Sequence, residues 1–187
     1  MLKKVKMSYQ MRSHNTSNIV TLIGMMGTGK SKFGSLIAKK NNLHFYDSDH
    51  LIEKRFDLSV KDLFKIHGEL FFRKVEQEEI LYIINKSETI SSKVFVSIGG
   101  GAYDDERTRN LLLEKSKVIW LNTPIEKIID RIHDKSKRPM IKGDIKNSLE
   151  ELLKKRLKYY RQCHYRIDTE KLSQKNIEEI ISYISLS

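Results

Sequence analysis

Residues 24–31 read Gly24-Met25-Met26-Gly27-Thr28-Gly29-Lys30-Ser31, directly after the apolar run Ile19-Val20-Thr21-Leu22-Ile23. The chain has nine glycines, and three of them fall between positions 24 and 29. The spacing is G-x-x-x-x-G-K-S, set between a β-branched run and a segment, 30–42, in which Phe33, Leu36 and Ile37 recur at helical intervals. Strand, glycine turn and helix in that order make a phosphate cradle. Glycine lets backbone N–H groups turn inward, and the helix N-terminus adds positive potential. In such a loop Lys30 reaches the β- and γ-phosphates, and the Ser31 hydroxyl binds Mg²⁺. An ordinary glycine turn is the competing account, and the flanking strand and helix weigh against it. The expected ligands are therefore a nucleoside triphosphate and Mg²⁺.

Outward from this loop, extended and helical patterns alternate. Apolar or β-branched runs at 19–23, 43–46, 94–98, 117–121 and 165–168 read as strands. A helical stretch runs from about Leu51 to Phe56, Ser59 caps a helix beginning at Val60, and 69–85 places Phe72, Val75, Glu79, Ile80 and Ile83 near helical period. Pro124 stands where a helix through Ile125, Ile128 and Ile129 begins; Leu149, Leu152, Leu153 and Leu157 mark a long helix, and 176–184 a closing one. The alternation predicts an α/β three-layer sandwich, a five-stranded parallel sheet with helices on both faces. Ligands of such sheets gather beyond the carboxyl ends of the strands. Four of these strands end in GMMGTGKS, Asp47-Ser48-Asp49, Gly99-Gly100-Gly101 and Asn122-Thr123-Pro124.

A length of 187 residues fits one domain, and 39% apolar with 32% charged residues argues against disordered and membrane classes. No apolar run approaches the roughly 20 residues of a membrane span. Cys163 is the only cysteine, which rules out an internal disulfide and a cysteine-rich zinc site and suggests a reducing, cytoplasmic setting. The formal net charge of +11 suits a nucleic-acid binder or a handler of anionic substrates. Lys3, Lys4, Lys6 and Arg12 lie in a stretch without periodicity, and no acidic residue precedes Asp47. Residues 1–17 are thus expected to form a basic, disordered tail, and 18–187 the single domain. The second basic concentration, Lys127 to Arg166, is interleaved with apolar residues at helical spacing and reads as a solvated face. Neither a specific nucleic acid nor a membrane is expected as a partner.

A phosphate cradle does not name the acceptor. Asp47 and Asp49 flank Ser48 at a strand end, where alternate side chains point the same way. One can hold the water shell of Mg²⁺ near Ser31 while the other accepts a hydrogen bond from a substrate hydroxyl; a turn with a helix cap accounts for the same residues. Arg73 and Glu76, three apart on one helix, form a surface ion pair or part of a site. Gly99-Gly100-Gly101 admits a ligand close to the backbone, or is a loose turn. Arg138 lies in a charged loop, 133–143, as solvated charge or as an arginine that closes over the transferring phosphoryl group.

In order and separation, GMMGTGKS, Asp47-Ser48-Asp49, Phe72-Arg73-Lys74-Val75-Glu76, the triple glycine and Arg138-Pro139-Met140 resemble shikimate kinase from about Ile19 to the C-terminus. The resemblance implies a sheet of the nucleoside-monophosphate-kinase type. It implies transfer of the ATP γ-phosphate to the 3-hydroxyl of shikimate, giving shikimate 3-phosphate and ADP in aromatic amino-acid biosynthesis. Carried onto this chain, the nucleotide site comprises Gly27, Thr28, Gly29, Lys30, Ser31 and Lys32, with Arg131 near the adenine and Mg²⁺ between Ser31 and Asp47. Asp49 meets the shikimate hydroxyls as candidate base, Arg73 meets the carboxylate, and Gly99, Gly100 and Gly101 surround the substrate. Lys30, Asp49 and the lid arginine Arg138 carry the chemistry.

A further substrate arginine of the family precedes a tyrosine by four residues. Arg156–Tyr160 and Lys155–Tyr159 both have that spacing, and Arg156 is preferred because a guanidinium binds a carboxylate through two parallel hydrogen bonds. The lid reads Arg138-Pro139-Met140-Ile141 where two leucines are usual. A monomer is expected. The competing readings are a gluconate-type or other small-metabolite P-loop kinase, and a nucleotide-binding regulator without catalysis.

Overall fold

Every residue of Ile19–Ile23 is buried, as a strand covered on both faces requires. The structure, a computed structural model, describes residues 9–11, 17–132 and 144–186. In chain order the elements are β1 (Tyr9–Met11), β2 (Ile19–Ile23), α1 (Lys30–Lys40), β3 (His44–Asp47), α2 (Ser48–Phe56), α3 (Val60–Glu88), β4 (Val94–Ser97), α4 (Glu106–Lys115), β5 (Lys117–Asn122), α5 (Ile125–Arg131), α6 (Ile145–Tyr160), β6 (Tyr165–Asp168) and α7 (Gln174–Leu186). A 3₁₀ turn, Ala102–Asp104, links β4 to α4.

The sheet order is β1-β6-β5-β2-β4-β3. Strands β2 to β6 are mutually parallel. The central strand β2 pairs with β4 on one side and β5 on the other, so the chain reverses its direction of winding there. A crevice opens at such a point beyond the carboxyl ends. The register brings Leu22 and Asp47 to either side of Ser97, the last residue of β4.

Alternate strand residues face opposite layers. Ile19, Ile23, Val94, Val96, Val118 and Trp120 face one core, which α3 to α6 complete. Val20, Leu22, Phe95, Ile119 and Leu121 face the other, against α1 and α7. A third cluster of Ile52, Leu63, Phe72 and Val75 joins α2 to α3. Helix α3 is interrupted at Gly68, whose φ of 81° and ψ of 172° are not helical. The capped helix from Val60 and the periodic stretch 69–85 are thus two segments meeting at that residue.

The five-stranded parallel sheet holds as expected. The tail reading does not hold for residues 9–11, which add an antiparallel strand: Tyr9 pairs with Ile167, Gln10 with Arg166 and Met11 with Tyr165. Without it β6 would present a row of unpaired backbone groups at the sheet edge. Ser17 is also engaged, its hydroxyl donating to the Lys115 carbonyl at 2.6 Å. Residues 1–8 and 12–16 lie outside the described residues, as does the loop 133–143 with Arg138. Helix α2 begins at Ser48 rather than near Leu51.

Candidate active site

The cradle forms at the carboxyl end of β2. Gly29 caps α1 with φ 97°, and a β-carbon there would lie 2.9 Å from the Phe33 ring, so glycine is needed both for its torsion and for its size. Thr28 is buried and its hydroxyl donates to the Met25 carbonyl at 2.9 Å. Lys30, also buried, donates through Nζ to the carbonyls of Gly24 (2.9 Å) and Met25 (3.0 Å), which holds its ammonium inside the loop. Ser31 Oγ lies 3.4 Å from Ser97 Oγ at the end of β4. Arg131 reaches back from α5 to the Gly27 carbonyl at 3.2 Å. Lys32 lines the same cavity, but its Nζ donates to Gln174 Oε1 at 2.8 Å and is directed towards α7.

A cavity of about 850 Å³ joins this loop to the candidate acceptor residues. Gly29, Lys30 and Ser31 line its phosphate-loop end; Asp49, Arg73 and Arg156 line the other. Asp47 and Asp49 both reach it, though not by strand alternation. Asp47 ends β3 and caps α2, accepting from the His50 N–H at 3.2 Å, and Asp49 already belongs to the first turn of α2. The buried Ser48 between them accepts from the Gly99 N–H at 3.1 Å, tying the aspartate turn to the triple glycine.

Two guanidinium groups converge on that glycine turn. A β-carbon at Gly101 would lie 2.7 Å from Arg73 Nη2 and 2.7 Å from Arg156 Nη2, so only glycine leaves room for both. Arg73 comes from α3, stacked near the Phe64 and Phe72 rings and donating through Nη1 to Glu76 Oε2 at 2.5 Å. Arg156 comes from α6 and is 3% exposed, whereas Lys155 stays outside the main cavity. One turn on, Tyr160 donates to the Gly100 carbonyl at 2.5 Å. The Arg156–Tyr160 register is therefore the one that faces the site.

The electrostatics of this end are set by burial. Glu76 is 2% exposed, and burial pushes its carboxyl up to about 7, Arg73 drawing it back and Asp49 adding to the rise. Burial alone would lower Arg73, but Glu76 and Glu69 hold it above its ordinary value, so the guanidinium remains charged. The sequence marks Glu76 through its spacing from Arg73. A stronger signal was present, since it lies four residues from both Phe72 and Ile80 on an otherwise apolar stripe. Nothing in the sequence marked Ser48, Ser97 or Asp104 beyond their neighbours.

Among the described residues there is no cluster of three or more His, Cys, Asp or Glu able to hold a metal alone. The hard oxygens of Ser31, Ser97 and Asp47 in one cavity suit instead an ion that takes most of its ligands from phosphate and water.

A phosphate loop at the switch point of a parallel sheet, joined by one cavity to paired arginines and a carboxylate, defines a P-loop small-molecule phosphotransferase. The family model for shikimate kinase matches residues 26–185. A shikimate kinase of Sulfurihydrogenibium sp. is 34% identical over 88% of this chain and 96% of its own. One from Persephonella marina is 37% identical over 88% and 98%. Shikimate kinase from Acinetobacter baumannii, solved in complex with shikimate, superposes with a TM-score of 0.82 at 28% identity, covering 91% of this chain and 94% of that one. The chain belongs to the shikimate kinase family.

Proposed function

We propose that this protein transfers the γ-phosphoryl group of ATP to the 3-hydroxyl of shikimate. The observation that carries the reading is the meeting of Arg73 and Arg156 at Gly101, across one cavity from Lys30 and Ser31. Two fixed guanidiniums suit a carboxylate, and the opposite end of a carboxylated ring then presents its alcohols to Asp49 and the phosphate loop.

The loop amides and Lys30 hold the β- and γ-phosphates. The shikimate oxygen bonds to the γ-phosphorus as the bond from that phosphorus to the bridging oxygen of ADP breaks. Asp49 accepts the hydroxyl proton or orients the hydroxyl, since a loose transition state asks for little deprotonation. Ser31, with Asp47 on the ion's water shell, would hold Mg²⁺, which would supply charge neutralisation at the phosphates. Gly27, Thr28 and Gly29 complete the phosphate end, where Lys32 is left with its main chain because its ammonium is engaged by Gln174; Arg131 is assigned to the base side, and Arg138 the phosphate-closing role. Action as a monomer belongs to the same reading. The buried thiol of Cys163 is consistent with a reducing, cytoplasmic setting, and among the described residues no helix is long and apolar enough to cross a membrane.

The test is an acceptor screen with ATP and Mg²⁺ that follows ADP release. Release with shikimate and none above background with gluconate is the expected result. Release with gluconate alone would overturn the assignment.

A further inference from the structure

Arg156 is held from behind by a residue outside the substrate cavity. Its Nε donates to Asp104 Oδ2 at 3.1 Å, while Nη1 and Nη2 lie on the Gly100 and Gly101 side, 3.3 and 2.7 Å from where β-carbons would stand. Nη1 also lies 3.8 Å from Met25 Sδ in the phosphate loop. A guanidinium gripped at Nε presents its two terminal nitrogens as a flat fork, the edge that pairs with a carboxylate. We infer that Asp104 is a positioning residue for the acceptor: it fixes Arg156 so that this fork faces the substrate carboxylate. The inference rests on the reading of Arg156 as a carboxylate ligand.

The fold holds Asp104 in place for this. It ends the 3₁₀ turn that begins at the triple glycine, with its N–H donating to the Gly101 carbonyl at 3.1 Å. Arg109 clamps the turn through Nη1 to the carbonyls of Tyr103 (3.2 Å) and Asp104 (3.1 Å), and its Nε donates to Gln162 Oε1 at 2.9 Å just beyond α6. Capping of α4 falls to the neighbour, Asp105, which accepts from the Thr108 N–H at 2.8 Å. The Asp104 side chain is thus not needed for the helix start. Its second oxygen, Oδ1, is buried with no hydrogen-bond partner, a costly arrangement in which the ion pair to Arg156 is the compensating contact.

Arg156 also has somewhere else to go. A second cavity of about 360 Å³ lies behind the paired arginines, lined by Asp104, Thr108, Leu152 and Lys155 as well as by Arg156 itself. Arginine loses much rotamer freedom when fixed, and a side chain free to swing into that space would bear the ordering cost at each binding event. The Asp104 contact removes that freedom beforehand, as Glu76 does for Arg73 on the other side of Gly101.

The experiment is a double-mutant cycle in the full-length enzyme. KM for shikimate, KM for ATP, kcat and melting temperature are measured for Asp104→Ala, Asp104→Asn, Arg156→Ala and the Asp104→Ala/Arg156→Ala pair. Asp104→Ala is expected to raise KM for shikimate about tenfold while kcat and KM for ATP move less than about twofold. Asp104→Asn, which keeps an acceptor for Nε, should recover part of that loss. In the Arg156→Ala background the Asp104 change should add nothing. An unchanged KM in Asp104→Ala, or an undiminished effect without Arg156, overturns the positioning role. An Arg156→Ala enzyme with normal KM for shikimate overturns the carboxylate-ligand reading beneath it, a different result in a different variant. If Asp104→Ala fails to fold, Asp104→Asn carries the same comparison.

Discussion

Arg73 and Arg156, 83 positions apart in the chain, meet over the α-carbon of Gly101, each with Nη2 at 2.7 Å from the place a β-carbon would occupy. Gly101 has φ −99°, a torsion any residue adopts, so glycine is required here for space rather than for backbone freedom. Gly101→Ala should therefore fold, with the guanidinium groups yielding instead of the main chain. The expected result is a nearly unchanged melting temperature and a KM for shikimate raised about 10- to 100-fold, as for a ligand pair displaced by a methyl group. Melting curves and steady-state kinetics on one preparation check it; normal substrate affinity would show that the two arginines do not act on the substrate.

Replacing either arginine with lysine keeps the charge and loses the fork. Arg73→Lys and Arg156→Lys should each weaken shikimate binding by about 1.5–3 kcal/mol, the worth of a charge-assisted hydrogen bond, with ATP affinity preserved. Isothermal titration with shikimate and, separately, with an ATP analogue measures both. Equal loss for both ligands would point to disruption of the whole cavity.

How much of this was legible in the sequence follows the range of the interactions. The phosphate loop is local: Gly24 to Ser31 carry their meaning in consecutive residues, and the strand and helix beside them have ordinary periodicity. Asp49, Arg73 and Arg156 were legible as residue types in a familiar order, although Asp49 enters the cavity from the first turn of a helix rather than from the strand that Asp47 ends. The Asp104–Arg156 contact spans 52 residues and the Ser48–Gly99 contact 51, and neither leaves a pattern along the chain. β1 escaped for a related reason. Three residues are too few to show a period, and their pairing with β6 depends on an edge that exists only once the sheet has formed.

Glu76 gives stability a pH dependence of defined sign. Its carboxyl rises from 4.5 to about 7 on folding, first because burial disfavours the charge. The native state therefore binds this proton more tightly than the unfolded chain, and the stability it contributes is present below about pH 4.5 and lost as the pH climbs to about 7. Glu76→Gln, neutral throughout, lacks that slope. The difference in unfolding free energy between wild type and variant should shift against the wild type across this window, by on the order of 3 kcal/mol or less. Urea titrations at a series of pH values measure it, and parallel curves for the two proteins would contradict the assignment.

Tyr160 links the arginine helix to the glycine turn without facing the substrate through a charge. Its ring is fully buried beside Trp120 and Tyr103, and its hydroxyl donates to the Gly100 carbonyl at 2.5 Å and lies 3.9 Å from Met25 Sδ. Tyr160→Phe keeps the ring packing and leaves the Gly100 carbonyl without this donor. Losing a hydrogen bond to this half-buried carbonyl costs about 0.5–1.5 kcal/mol, which in a chain of this size lowers the melting temperature by roughly 2–4 °C per kcal/mol. Gly100 also lies against the phosphate loop, its β-carbon position 3.3 Å from the Gly24 carbonyl and 3.5 Å from the Met26 nitrogen. A loosened glycine turn should therefore disturb both ligand ends at once, so that KM rises for ATP as well as for shikimate. That joint rise separates Tyr160 from Asp104, whose replacement is expected to move the shikimate constant alone.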